Sequence, residues 1–298
     1  MKKQLLALLL TAGVLTGCGS AQVADRAELP ENELPSLQVL PVRNLQYQVT
    51  LEPFERTASA EDGQLLASYQ VQIPMMTVCL EDGTPVTEPH GEKEQQALEA
   101  ADRFNQRFDI WREESSFREL ADNAEADLLE KREAGLLPME HYTLNLSCTV
   151  YQTDALVSVA GLCYSYTGGA HPNTWQLGWN FDLEHGDFFT GDVIAADSTG
   201  FRDAVAEELL IQAKAFAAEN GMKLEDLYWP EYESTLRDWS SYTVYFDPTG
   251  MNVVFSPYEL APYAAGAQEF HLSYEWMRPR LQERGSRILG LTSDTEEK

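Results

Sequence analysis

Basic residues are scarce in this sequence. Its 298 residues include 21 lysines and arginines against 48 aspartates and glutamates, which gives a formal net charge of −27. A protein that binds nucleic acid needs a basic face to neutralise phosphate charge, and an acidic membrane surface repels a body of this sign. The composition therefore argues against a nucleic-acid partner and favours encounters with cationic molecules.

The sequence also lacks the short motifs of common catalytic and metal sites. It contains no Gly-x-Ser-x-Gly elbow, no His-Glu-x-x-His helix, no Gly-x-x-x-x-Gly-Lys loop and no Cys-x-x-Cys pair. Asp182, His185, Asp187 and Asp192 cluster around one turn, but their spacing fits neither a calcium loop nor a zinc site. We therefore expect no catalytic residue, no metal and no cofactor.

Beyond the N-terminus, no apolar run approaches the roughly 20 residues that a membrane-spanning helix requires. The N-terminus itself has Lys2 and Lys3, an apolar stretch over 5–15, and the sequence Leu-Thr-Gly-Cys ending at Cys18. This pattern resembles the signal peptide and lipobox of bacterial lipoproteins, in which the cysteine becomes a lipidated mature N-terminus. We predict a signal peptide at 1–18 and an extracytoplasmic protein held on the bacterial cell membrane by lipid on Cys18. The alternative is a secreted protein in which Cys18 is incidental.

Residues 19–38 are polar and proline-containing and have no apolar period, which predicts a flexible tether between the membrane and the folded body.

Cys79, Cys148 and Cys163 remain after Cys18, so at least one of them has no partner within the chain. A hairpin closed by a two-residue turn at 153–154 would place Cys148 opposite Val159 and away from Cys163. We expect small buried thiols in strands, with a disulfide to Cys79 as the alternative.

The apolar pattern alternates between strand and helix periods. Strands are predicted near 47–51 and 66–71, two helical segments over 92–135, and an antiparallel meander through 142–151, 155–166 and 175–181. A helix through Phe201, Val205, Leu209 and Phe216 then ends near Gly221, and strands follow near 242–246, 252–255 and 270–274. Grouped strands and helices predict an α+β fold with antiparallel sheets.

Two segments, 164–173 and 255–266, are rich in residues with special backbone requirements. Gly168 and Gly169 allow positive φ, so the chain can turn sharply and bring His171 back toward the sheet. His171 is either an exposed functional group or a histidine satisfied by a backbone carbonyl, and we favour the second interpretation. Pro257 and Pro262 indicate an irregular crossing segment that tyrosines anchor by packing. The candidate binding residues are Tyr166, Thr167, Gly168, Gly169, His171, Asn173, Tyr258 and Tyr263.

These segments resemble the extracellular domains shared by the RsiV and PdaC proteins. The resemblance rests on Tyr-Thr-Gly-Gly-Ala-His at 166–171, Asn-Phe-Asp-Leu at 180–183 and Pro-Tyr-x-x-Ala-Pro-Tyr-Ala-x-Gly at 257–266, and it extends over about 45–278. It implies two linked halves, a PdaC-like half at 39–172 and an RsiV-like half at 173–290.

The resemblance also implies a binding role. The outer domain of RsiV is a lysozyme receptor, while the deacetylase motifs of PdaC lie on a separate catalytic domain and do not occur in this sequence. We therefore expect a noncatalytic envelope protein that binds an extracellular partner, foremost a cationic protein such as lysozyme. The alternatives are a peptidoglycan- or glycan-binding module, an unrecognised hydrolase that uses His171, and an accessory role without a ligand.

Overall fold

The computed structural model describes residues 44–136 and 139–291. The signal peptide, Cys18 and the tether lie outside these residues, so those expectations stay predictions. Residues from Arg43 onward belong to one compact unit.

A six-stranded sheet forms the first half of the chain. Its strands run in chain order and are β1 (Leu45–Ser59), β2 (Leu65–Leu80), β3 (Tyr142–Gln152), β4 (Leu156–Tyr166), β5 (Asn173–Asp182) and β6 (Asp187–Phe188). All neighbours are antiparallel except β2 and β3. That parallel pair is joined by α1 (Glu92–Gln106) and α2 (Glu114–Ala134), because parallel strands need a long crossover. The predicted meander is confirmed.

The two helices cover one face of this sheet and enclose the first hydrophobic core. Phe104 and Phe108, one helical turn apart, are fully buried and pack on Phe181 of β5 and Phe188 of β6. Asn105 pairs with β2 beyond the point where the β2–β3 ladder ends, at Val71 and Leu146. Its Oδ1 accepts a hydrogen bond from Met76 N at 2.7 Å and its Nδ2 donates to Met76 O at 3.0 Å. The side-chain amide thus satisfies a strand edge that would otherwise be unpaired.

The second half has its own core. It is built on α3 (Ser198–Glu219) and a three-stranded antiparallel sheet of β7 (Thr243–Phe246), β8 (Gly250–Phe255) and β9 (Gln268–Ser273). Short helices complete it: α4 (Leu224–Leu227), α5 (Tyr232–Arg237), α6 (Tyr274–Met277) and α7 (Glu283–Ile288). Asp247 holds the turn after β7, because its Oδ1 accepts hydrogen bonds from Thr249 N at 2.7 Å and Gly250 N at 3.0 Å. These elements confirm the α+β class.

The second sheet docks on β5, on the face of the first sheet away from α1. Asn180 Nδ2 donates to Val244 O at 2.9 Å, and the hydroxyl of buried Ser158 donates to Asn180 Oδ1 at 2.8 Å while accepting from Phe246 N at 2.7 Å. Gly178 lies against Val244, where a Cβ atom would collide with the carbonyl oxygen and lie 2.9 Å from the carbonyl carbon. The sheets meet this closely because residue 178 has no side chain.

The proposed division of the chain at residue 172 stays a prediction. As a structural fact, β5 begins at Asn173 and pairs along its length with β4, so the six-stranded sheet continues past that position.

The register predicted for the β3–β4 hairpin is wrong by two residues. Cys148 lies opposite Gly161, not Val159, and Cys163 lies opposite Leu146. The connection is three residues long because Thr153 Oγ1 accepts hydrogen bonds from the backbone N–H groups of Ala155 and Leu156. The thiols of Cys79, Cys148 and Cys163 are nonetheless free and buried, as expected. Burial raises the pKa of Cys148 to about 12 and that of Cys163 to about 11.

Phe216, assigned to the apolar stripe of α3, is 47% exposed instead. Two residue types share the buried side of this helix, large apolar side chains in its first turns and alanines toward its end. Ala213 and Ala217 fill the core position there, so Phe216 points outward. In the part of the chain that the structure describes, no helix is long and apolar enough to cross a membrane.

The contact at Gly178 generates a stability prediction. Gly178→Ala should lower the free energy of unfolding by about 1–3 kcal/mol, because the added methyl group must push the two sheets apart. Gly169→Ala is the matched control, since its nearest neighbour would be 3.7 Å away and its φ is not positive. Urea unfolding of both variants tests this. Equal stability of Gly178→Ala and wild type would contradict the assigned contact.

Candidate functional site

Three rings from the two motif segments meet on the surface. His171 stacks on Tyr263 with ring centroids 4.1 Å apart and an interplanar angle of 21°. Tyr258 is 5.6 Å from Tyr263 between centroids, and its hydroxyl lies 3.0 Å from His171 Nε2. His171 and Tyr258 are exposed and Tyr263 is half-buried. We call these rings, together with Trp229, the aromatic patch.

The hydrogen bonds of His171 define its tautomer. Nδ1 lies 2.9 Å from the carbonyl oxygen of Pro172, which can only accept, so Nδ1 carries the hydrogen. Nε2 then accepts from the hydroxyl of Tyr258. The carbonyl contact agrees with the interpretation of His171 as a satisfied histidine. Its second bond, across 87 positions of sequence, adds a link between the two segments that the sequence did not indicate.

The segment 255–266 is held rigidly beneath these rings. Tyr258 N donates to Ala261 O at 3.1 Å, and the indole Nε1 of Trp229 donates to Tyr258 O at 3.1 Å. Leu260 and Ala261 between them are buried in the second core. The tyrosines were expected to anchor the segment by packing. For Tyr258 this is wrong, because it is 50% exposed and the buried Leu260 and Ala261 provide the anchor.

Tyr258 adopts φ 77°, and it is the one non-glycine residue with positive φ in the described ranges. This conformation costs an L-residue roughly 1–2 kcal/mol. The tight turn and the Trp229 hydrogen bond impose it. Backbone strain of this kind persists where the surrounding structure over-determines it, and it concentrates at functional sites.

The remaining candidate residues lie in the β4–β5 hairpin. Gly168 has φ 85°, and a Cβ there would lie 3.0 Å from Asp127 Oδ2 and 3.1 Å from the ring of Tyr142, whereas Gly169 has no positive φ. The hairpin therefore depends on Gly168 for both space and conformation. Among the described residues, no hydrogen bond or ring contact joins Tyr166, Thr167 or Asn173 to the patch.

Exposed carboxylates lie around the patch. Glu259 directly follows Tyr258 in the chain, and its Oε2 accepts from Ser256 N at 2.5 Å. The chain on either side of Trp229 carries four further exposed acidic residues, namely Glu225, Asp226, Glu231 and Glu233. The carboxylates of Glu225 and Glu233 act on Tyr232, whose pKa is raised by desolvation and by these charges. We call Glu259 and these four exposed carboxylates the acidic rim.

A groove of about 470 Å³ adjoins the segment between α3 and β9. The exposed Phe216 and half-buried Ala265 line it, and Glu219 and Glu269 bring two more carboxylates. Sequence reasoning missed Phe216 because its spacing matched the buried stripe of α3. Trp229 is 37% exposed.

The acidic cluster around the β5–β6 turn is engaged in ion pairs. Asp182 is fully buried, and its Oδ2 accepts from Arg284 Nη2 at 2.7 Å and lies 2.9 Å from His185 Nδ1. Burial opposes ionisation of Asp192, but hydrogen bonds from Thr190 and Arg202 hold its pKa below the ordinary value. Within the described ranges, no group of three acidic, histidine or cysteine side chains could hold a metal ion.

The match to a known protein family lies in the second half of the chain. Residues 191–275 match the model of the DUF3298 family, described as a protein of unknown function. The segment contains Tyr258 and Tyr263 but not His171. No curated protein matches the chain significantly.

Two solved structures are similar to the chain. A DUF3298 family member from Bacteroides fragilis aligns with a TM-score of 0.56 and 18% identity, over 84% of this chain and 98% of its own length. A DUF3298 family protein from Pseudomonas aeruginosa aligns with a TM-score of 0.46 and 15% identity, over 80% and 96% of the two chains. The first alignment shows that the α+β fold is shared. The resemblance to RsiV and PdaC stays a prediction.

The positive φ of Tyr258 can be tested with two substitutions. Tyr258→Ala and Tyr258→Gly lose the same ring and hydroxyl, but glycine accepts φ 77° without penalty, so Tyr258→Gly should be more stable by about 1 kcal/mol. Urea unfolding measures the difference. The same pair of substitutions at Tyr263, where φ is not positive, should show alanine equal to or more stable than glycine. If alanine is as stable as glycine at position 258 too, the positive φ assigned to Tyr258 is contradicted.

Proposed function

We propose that the protein is a noncatalytic, lipid-anchored envelope protein and that the aromatic patch with its acidic rim binds a cationic extracellular protein. Lysozyme is the first partner to test. One observation carries this proposal: two segments 87 residues apart assemble exposed rings on a backbone that is strained at Tyr258. Ordinary folding has no need of an exposed, strained tyrosine.

The chemistry of the patch suits a protein partner. Exposed tyrosine and tryptophan side chains offer large rigid contact areas with a polar tip, and they are enriched among residues that dominate binding energy. The hydrogen bond from Tyr258 to His171 and the stacking on Tyr263 fix the rings before a partner arrives, which reduces the entropy lost on binding.

Charge selects the class of partner. The five carboxylates of the acidic rim lie close to Tyr258 and Trp229 in the chain, and the whole chain has a net charge of −27. Fields of this sign accelerate encounters with basic proteins and slow those with acidic ones. The resemblance to RsiV, whose outer domain receives lysozyme, points to the same class of partner.

The alternative of a hydrolase gains no support from the geometry of His171. A histidine acting as general base needs a nucleophile within reach and commonly a carboxylate that orients it. In the described structure its two ring nitrogens bond to a phenol and a backbone carbonyl. We therefore assign His171 to the binding surface and not to catalysis.

Calorimetric titration of the protein with hen lysozyme at moderate salt tests the partner. We expect saturable binding, and Tyr258→Ala or Tyr263→Ala should each weaken it by roughly 30-fold, as for a residue that dominates an interface. Ile110→Ala is the matched control, because Ile110 is 57% exposed on another surface. Absence of saturable binding, or wild-type affinity of both tyrosine variants, would remove the proposal.

The acidic rim makes a separate, kinetic contribution, which stopped-flow measurement of association with hen lysozyme at several salt concentrations tests. The double variant Glu231→Gln and Glu233→Gln should slow association and flatten its dependence on salt, because steering acts on the approach of the partner. Glu125→Gln with Glu130→Gln removes the same charge from exposed positions of α2 and should change association less. Equal effects of both pairs would show that only the net charge matters.

Lipid anchoring is tested at Cys18. In cells grown with labelled palmitate, wild-type protein should carry label and sediment with membranes, whereas Cys18→Ser should do neither, because serine has no thiol to acylate. Cys79→Ser controls for incidental acylation, since that thiol is free but buried. Unlabelled wild-type protein in the cytosol would end the anchoring proposal.

A further inference from the structure

The second sheet covers the outer face of the first sheet at β5 and at the part of β4 around Ser158, and it leaves rows of side chains open across β1, β2, β3 and the rest of β4. The strand registers align Glu55, Gln70, Asn145 and Tyr164 in one row. In the next row Pro53 pairs with Gln72, and Ser147 pairs with Leu162. We call these eight side chains the open face. Gln70, Gln72, Ser147 and Leu162 are exposed to solvent.

The open face is concave. It holds an open, shallow groove of about 530 Å³ that these residues line together with Val71 and Leu146. Four strands at the usual spacing extend about 14 Å, so the groove is long enough for an extended ligand rather than a single small ion.

The groove is nearly uncharged in a strongly acidic protein. Charged residues make up 23% of the chain, yet Glu55, at the edge strand, is the one charged residue that lines the cavity. The floor presents amides, a hydroxyl and a phenol, and these groups both donate and accept hydrogen bonds. Leu162, 41% exposed, and half-buried Tyr164 supply apolar surface beside them. Neutral ligands with many hydroxyl or amide groups match this set, whereas charged ligands do not.

One atom of the floor lacks a partner. Asn145 Oδ1 is excluded from solvent and has no hydrogen bond, and it is the one such side-chain atom in the part of the chain that the structure describes. An unpaired buried acceptor is costly, so its retention calls for a donor. The side-chain oxygen of neighbouring Gln72 already has a hydrogen-bond partner. Its Oε1 accepts from Cys148 N at 3.0 Å, which leaves its amide N–H groups directed elsewhere.

We propose that the open face is a second binding site and that it takes an uncharged oligosaccharide. On binding, the half-buried Asn145 side chain turns into the groove, and its Oδ1 accepts a hydrogen bond from a hydroxyl or acetamido group of the sugar. The amides of Gln70 and Gln72 donate to sugar oxygens, and Leu162 and Tyr164 contact the apolar faces of the sugar rings. The open face and the aromatic patch share no residue, so failure at one surface leaves the other unaffected.

Titration of the full chain with triacetylchitotriose, followed by calorimetry, tests this site. We expect saturable binding that Asn145→Ala weakens at least tenfold. Because this substitution removes an unpaired acceptor, the melting temperature should stay equal or rise, which a purely structural asparagine would not allow. Gln70→Ala is a second variant, and it should fold normally because Gln70 is exposed. It should weaken binding several-fold.

Two controls define the contrary outcomes. Thr149→Ala lies on the same strand and face but outside the cavity, and Tyr258→Ala lies in the aromatic patch; both should bind the saccharide as wild type does. Absence of saturable binding, or equal affinities of Asn145→Ala, Gln70→Ala and Thr149→Ala, would overturn the assignment. So would tighter binding of the cationic trimer of glucosamine that disappears as salt rises, because that pattern indicates charge attraction alone.

Discussion

The contact between Gly178 of β5 and Val244 of β7 is the constraint on which both proposed surfaces depend. It lets two sheets approach more closely than any residue with a Cβ atom would permit. Hydrogen bonds of Ser158 and Asn180 stabilise the contact between the two sheets. His171 lies in the β4–β5 hairpin of the first sheet, and Tyr258 lies in the second half of the chain. Their hydrogen bond exists only because this junction sets the distance between the two loops.

The same junction explains why part of the first sheet stays open. The second sheet is narrow, with three strands, and it docks at the β5 side of a sheet of six. Residues toward β1 and β2 therefore remain uncovered, and on β2 they are the neutral amides of Gln70 and Gln72 rather than apolar side chains. One packing event thus creates two surfaces of different chemistry, an acidic aromatic patch at the loops and a neutral groove on the strands.

Much of the fold could be predicted from periodicity. The alternation through Tyr142 and Leu146 predicts β3, and the helical spacing of Phe104 and Phe108 predicts α1, because side-chain periods follow directly from backbone geometry. The errors have local physical causes. The hairpin register was missed because Thr153 holds a three-residue loop with its side chain, and Phe216 was placed in the core because spacing does not reveal that alanines fill the inner surface of α3.

The sequence by itself determined the class of the fold, the acidic character of the protein and the two glycine- and proline-rich segments that carry the candidate residues. These properties follow from composition and from contacts within a few positions of one another. Only the tertiary structure decided that His171, Tyr258 and Tyr263 meet, that Tyr258 is strained, and that Asn145 lies in an open groove with its carbonyl unpaired. Such facts depend on strand register and sheet docking, which arise from contacts between distant residues that no local pattern encodes.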